Sequence, residues 1–194
     1  MMKFRDLTED EIEVRVQSVK EKGLVLLLYK NARCDMNILD ETVGAENWQR
    51  EHYECKGNLF CRVGIHCKDE TEEVSDNIPV RTFGNDEWVW KSDCGVESNT
   101  EAQKGEASDS FKRACFNWGI GRELYTSPFI WIPADKCGIK DTGKTDKYGN
   151  KTYACYDRFE VEKIRIEDKK ITGLAIINTN TDNRCFVWQK EAKE

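Results

Sequence analysis

Lys112 and Arg113 stand side by side in TEAQKGEASDSFKRACFNWGIGREL, residues 100–124, with Asp109 one helical turn behind them. Adjacent cations on one helix face can grip a phosphate chain, because Lys and Arg contacts to phosphate supply affinity that is independent of base sequence. The same pattern fits a solvated helix face whose cations pair with Asp109 at i−3 and i−4. Two other groups invite chemistry. Cys55, Cys61 and Cys67 with His66 suggest zinc, yet Cys61 and Cys67 fall about 20 Å apart on an extended strand, too far to share one ion. Buried thiols on a sheet face are the better reading. Glu160 and Glu162, in a strand near Asp157, suggest a nuclease-like carboxylate cluster, but no third ligand or catalytic lysine has convincing spacing, and a solvated strand face is favoured.

The elements that must position these residues follow from periodicity. Thr100 and Gln103 read as a capping box. Ala107, Phe111, Ala114, Cys115 and Trp118 then recur at helical spacing, so the long helix has one apolar face, and Gly119 and Gly121 loosen the chain after it. Upstream, Thr8 and Glu11 form a second capping box that predicts a helix through about Lys22, with Ile12, Val16 and Val19 on one face and Gly23 ending it. Residues 24–29 predict a buried strand, and 35–43 a short helix closing at Gly44. Trp48–Cys55 and Leu59–Lys68 predict a hairpin about Lys56-Gly57-Asn58, with Leu59, Cys61, Val63, Ile65 and Cys67 on one face.

The segment DETEEVSDNIP, 69–79, reads as a solvated loop and 87–94 as a third strand. Trp88 and Trp90 share a parity there, which suits core or subunit-contact residues better than base-stacking platforms. Residues 129–132 predict a short strand, 133–157 an extended loop, and 158–166, 171–177 and 184–188 a three-stranded antiparallel meander with turns at EDKK and NTNTDN. No internal repeat is evident. The order of elements predicts an α+β fold.

The bulk properties set the frame. The chain has 194 residues, 39% hydrophobic and 34% charged, which favours a folded, highly charged globule over a disordered chain. The net charge of −6 argues mildly against a nucleic-acid binder without excluding one, since binding follows where the cations cluster. No apolar window approaches the length of a membrane span and the N-terminus lacks a signal-peptide core, so a cytoplasmic protein with no membrane partner is expected. Nine cysteines, with no CxxC, then read as free thiols. No GxxxxGK(S/T) phosphate loop occurs and no cofactor is expected.

The string GEASDSFKRACFNWGIGRELY resembles the signature helix of the Rad52 family of single-strand annealing proteins, above all its bacteriophage members. GLVLLLYKNARCDMNILDETVGAENW is similar to the family's strand, basic turn and short helix, and the hairpin and third strand follow in the family's order. The resemblance covers roughly residues 7–125. It implies a β-β-β-α core that assembles into rings, with single-stranded DNA in a basic groove, backbone inward and bases outward. Lys112 and Arg113 match the family's adjacent Lys-Arg pair. Arg33, in the YKNARCDMN turn, matches an arginine lining the same groove. Lys68, in HCKDE, matches more loosely a lysine of a second, outer DNA site. One turn after the pair the eukaryotic members carry another arginine where this chain has Phe116; Arg122 is a compensating cation, or Phe116 stacks on a base.

These readings combine into an α+β fold with an antiparallel β-β-β-α core, an N-terminal helix and a C-terminal β-meander appendage, assembling into a ring-like oligomer. Residues 1–125 are expected to form the single-strand annealing core, and 126–194 a loop plus a small β appendage. The expected function is ATP-independent binding of single-stranded DNA and annealing of complementary strands in recombination and repair, phage-encoded and not enzymatic. The expected partners are single-stranded DNA and further copies in a ring or filament, with a single-strand-binding protein or an exonuclease as further candidates. Two rivals stand beside it: a metal-dependent nuclease or nucleic-acid-processing enzyme using the C-terminal acidic residues, and an oligomeric interaction module that has lost DNA binding.

Overall fold

The computed structural model describes residues 2–67, 87–96 and 102–191. Along the chain run β1 (Glu13–Lys20), β2 (Gly23–Tyr29), α1 (Ala32–Val43), β3 (Trp48–Cys55), β4 (Asn58–Cys67), β5 (Glu87–Cys94) and α2 (Ala102–Trp118). There follow β6 (Ile130–Pro133), β7 (Ile139–Thr145), β8 (Lys151–Cys155), β9 (Phe159–Glu167), β10 (Lys170–Asn178) and β11 (Asn183–Gln189). The fold is mixed α and β with antiparallel strand pairs. Two compact units share the chain: residues 1–4 with 32–120, and residues 5–31 with 121–194. Among the described residues no helix is long and apolar enough to cross a membrane.

The first unit contains the expected β-β-β-α arrangement. β3, β4 and β5 form a three-stranded sheet in that order, and the expected third strand at 87–94 is β5 to the residue. Strand alternation then gives the sheet two unlike faces. Cys61, Val63 and Ile65 of β4 are fully buried, and their β3 partners His52, Arg50 and Trp48 all reach α2. His52 lies 3.1 Å from the Ala107 carbonyl oxygen, Arg50 sits over the Phe111 ring at 4.7 Å, and Trp48 stacks on the same ring. From α2, Phe111, Ala114 and Cys115 are buried in return, the apolar face that the helical spacing predicts. At the end of β5 the backbone passes so close to α2 that a Cβ on Gly95 would stand 2.2 Å from the Glu106 carbonyl oxygen. Only glycine fits there.

The second unit departs from expectation. Thr8 and Glu11 do form a capping interaction, with the Thr8 N–H donating to the Glu11 carboxylate at 2.9 Å, but the turn it opens is a single 3-10 turn over Glu9–Glu11. The predicted helix to Lys22 is strand β1 instead. The apolar spacing that mimics a helix arises from a β-bulge between Val16 and Ser18. That extra residue lets Val16 face Leu26 and Val19 face Leu24, so a three-residue interval places both valines on the buried side of a strand pair.

The C-terminal meander forms as predicted but is not an appendage. β11, β10, β9, β1, β2 and β6 make one six-stranded sheet in that order, joined by the Glu13–Glu160 pair. Leu24, Leu26, Ile130, Ile132, Phe159, Leu174 and Ile176 build its core. Residues 5–31, expected to belong with the annealing core, therefore pair with strands from beyond residue 125. The stretch 133–157 is not a loop throughout: β7 and β8 form a separate two-stranded hairpin within it.

Candidate nucleic-acid interface

Lys112 and Arg113 sit on the outer side of α2, just beyond the buried Phe111 and just before the buried Ala114. Helix geometry turns their side chains about 100° apart. Arg113 leans over β5, where its Nε is 3.3 Å from Asp93, while Lys112 stays beside Asp109 at 3.9 Å. Their side chains retain 43% and 24% of full exposure, so neither cation is sealed in the interior. Each pairs with a different aspartate, and both aspartates also brace the backbone. Asp109 accepts the Val96 N–H at 3.2 Å, and Asp93 accepts the Cys94 N–H at 2.8 Å. Partly exposed pairs at these separations are worth about 0–1 kcal/mol, weak enough to yield to a phosphate.

Lys91 and Arg50 extend the cationic surroundings of α2, and periodicity on the helix alone did not reveal them. Lys91 donates to the Asn117 carbonyl at 2.9 Å and lies 4.5 Å over the Trp118 ring. The signal that finds them is strand parity: Arg50, Val63 and Lys91 are register partners across the three strands, on the face that meets α2.

Arg33 is the second residue of α1 and is exposed, and α1 belongs to the same unit as α2. Arg122 opens the 3-10 turn Arg122–Thr126 in the second unit and is also exposed. Lys68 lies outside the described residues, as does Thr100 of the predicted capping box. Phe116 is half-buried on α2. The other cation of the YKNARCDMN turn, Lys30, is buried in the second unit, with its Cε running against Gly121.

The opposite face of the three-stranded sheet carries Trp88 and Trp90, so these two are not core residues of this unit. Trp88, Trp90, Arg62, Phe60 and Tyr53 share that face, each exposed or half-buried. Trp88 and Trp90 have ring centroids 6.1 Å apart, and Tyr53 and Phe60 stack at 5.6 Å. Arg62 lies 4.6 Å over Trp90 and is paired with Glu51 at 2.6 Å. A Cβ on Gly64 would come within 2.8 Å of the Trp90 ring, so the absence of a side chain there is what lets the indole lie flat.

The remaining candidates have structural roles. Cys61 is buried, and burial pushes its thiol up to about 11, but Cys55 is exposed, contrary to a uniformly buried thiol row. Asp157 accepts the Gly138 N–H at 2.7 Å and the Asn178 amide at 2.8 Å. Glu162 is bonded to Arg184, which holds its carboxyl below the usual range. A groove of about 690 Å³ is lined by Glu9, Asp10, Glu13, Glu160 and Glu162 among others, and there Glu13 is engaged by Asn31 at 2.7 Å. Among the described residues no three His, Cys, Asp or Glu side chains are grouped to hold a metal ion.

No curated protein and no solved structure matches the chain at a significant level. The family profile described as the Rad52/22 family double-strand break repair protein matches residues 4–136, a span that contains the whole β3-β4-β5-α2 arrangement. With two thirds of its length inside that match, the chain belongs to the Rad52/22 family of double-strand break repair proteins.

Proposed function

We propose that the protein binds single-stranded DNA and anneals complementary strands without nucleotide hydrolysis, working as a ring or filament of identical subunits in recombinational repair, and that it is of the bacteriophage type. The observation that carries this reading is the family match over the entire helix-on-sheet unit, with a Lys-Arg pair on the outer side of its helix. The helix is fixed by Phe111, Ala114 and Cys115, so the pair projects from a rigid support. Lys112, Arg113 and Arg33 are the proposed phosphate contacts of each subunit, with Arg122 and Lys68 as further contacts. Repetition around an assembly turns a few weak contacts per copy into strong binding, and it reconciles a net-acidic chain with a basic path.

Annealing needs no external energy source. Each base-pair step formed releases about 1.4 kcal/mol on average, and the protein has only to hold the strand extended and leave its base edges accessible. The aromatic face of Trp88, Trp90, Tyr53 and Phe60 suits contact between copies. Its one central cation, Arg62, is neutralised by Glu51, which makes the face poor for phosphate and good for a protein surface.

Labelled complementary oligonucleotides mixed with the protein, without nucleotide or metal, test the reading. Faster annealing with intact strands is expected, and magnesium-dependent cutting would replace the proposal with the nuclease reading. Changing Lys112 and Arg113 together to Ala should flatten the dependence of log K on log salt by about 1.4, at about 0.7 per single-strand contact. An unchanged slope removes the pair from the site. The Asp93 and Asp109 partners favour one rival, a module that keeps the fold and has lost strand binding; failure to bind any single strand at low salt would establish it.

A further inference from the structure

We propose that the β7–β8 hairpin is an additional contact for single-stranded DNA, with lysines for the phosphates and Tyr148 for a base. The hairpin begins after residue 136, outside the span matched by the family profile, so family membership assigns it no role. Between residues 139 and 151 stand four lysines and two aspartates, a local excess of positive charge in a chain whose net charge is −6. Residues 140–151 are all exposed.

Strand register segregates these charges. Asp141 pairs across the ladder with Tyr153, and Thr145 with Lys151, so these side chains share one face. There Asp141 takes the Gly143 N–H at 2.8 Å and the Lys151 ammonium at 3.4 Å. Lys140 pairs with Ala154, on the face opposite that carboxylate, and Lys144 stands exposed in the irregularity of the ladder between Asp141 and Thr145. The other acid, Asp146, is occupied in shaping the tip, accepting the N–H groups of Tyr148 and Asn150 at 2.8 and 2.9 Å.

Those bonds give Tyr148 a fixed base while the residue remains 76% exposed, and the Lys147 ammonium lies 5.0 Å from the ring centroid. An exposed aromatic ring next to a row of lysines is the combination that holds a single strand without reading its sequence.

The identity of the ligand rests on the single-strand reading above, so the experiment separates the two. Binding of the full chain to an oligothymidylate is measured across a salt series for wild type, for Lys140→Gln/Lys144→Gln/Lys147→Gln, for Tyr148→Ala, and for the Lys112→Ala/Arg113→Ala variant. The triple variant should lower the salt slope by about 2, at about 0.7 per contact. Tyr148→Ala should weaken binding about fivefold or more with the slope unchanged. Irradiating wild-type protein on a strand carrying halogenated pyrimidines should crosslink Tyr148. Wild-type slope and affinity in both hairpin variants, with crosslinks confined elsewhere, would overturn this proposal alone. Absence of binding by the wild type would overturn the annealing reading with it.

Discussion

The two compact units differ in the charge pairs around their main elements. In the first, cations are arranged on the outside of a helix whose other side is a close-packed core, and their aspartate partners are long and partly exposed. In the second, many charges are spent on local structure. Arg5 makes a two-pronged pair with Glu11 at 2.7 Å, Arg184 pairs with Glu162, and Asp157 ties Gly138 to Asn178. The β7–β8 hairpin is the exception, since its aspartates shape the turns while Lys140 lies on the face away from Asp141 and Lys144 and Lys147 stand exposed. Composition cannot distinguish these uses.

Substitutions can break this comparison at several points. The largest effect is expected from Phe111→Ala, which removes the ring that Trp48 and Arg50 both cover. It should cost about 3–5 kcal/mol and show first as lost amide protection in α2 and β4. Protection lost equally in β9 and β10 would mean that the units do not unfold separately. Next, Trp88→Ala with Trp90→Ala should reduce the mass of the assembled species in solution while the helix-on-sheet unit stays folded. An unchanged mass would take the aromatic face out of the subunit contact.

A smaller effect is expected from a charge pair in the second unit. Hydrogen bonding to Arg5 holds the Glu11 carboxyl down at about 2, against an ordinary 4.5. A depressed carboxylate contributes stability above its unfolded value, and that contribution is lost as pH falls from about 4.5 through about 2. For a partly exposed pair it amounts to about 1 kcal/mol or less. Glu11→Gln should flatten the acid limb of a pH–stability curve by that amount and leave the salt slope of strand binding untouched. A changed slope would place Glu11 in the binding path. Smallest of all, thiol labelling of the native protein should reach the exposed Cys55 and spare Cys61 and Cys185, whose thiols burial pushes up to about 11. Fast labelling of Cys61 would show that β4 opens away from α2.

The sequence by itself determined the elements whose signals are local. The alternation of Cys61, Val63 and Ile65, the 3.6-residue spacing of Phe111, Ala114 and Cys115, and the three-stranded meander all stand where the pattern placed them. Each such pattern is written within one element, so a short window contains it. The Lys-Arg pair was legible for the same reason, because both residues follow directly on the apolar stripe. Only the tertiary structure decided that residues 13–20 are a strand. A bulge after Val16 disguised a two-residue period as a helical one, and the pairing with Leu24 and Leu26 resolves it. Only the fold joined β1 to β9 across more than a hundred residues, and only the fold put Trp88 and Trp90 on the face away from α2. Strand parity says which residues share a side and not which side is covered; that depends on partners distant in the chain, and no local period records them.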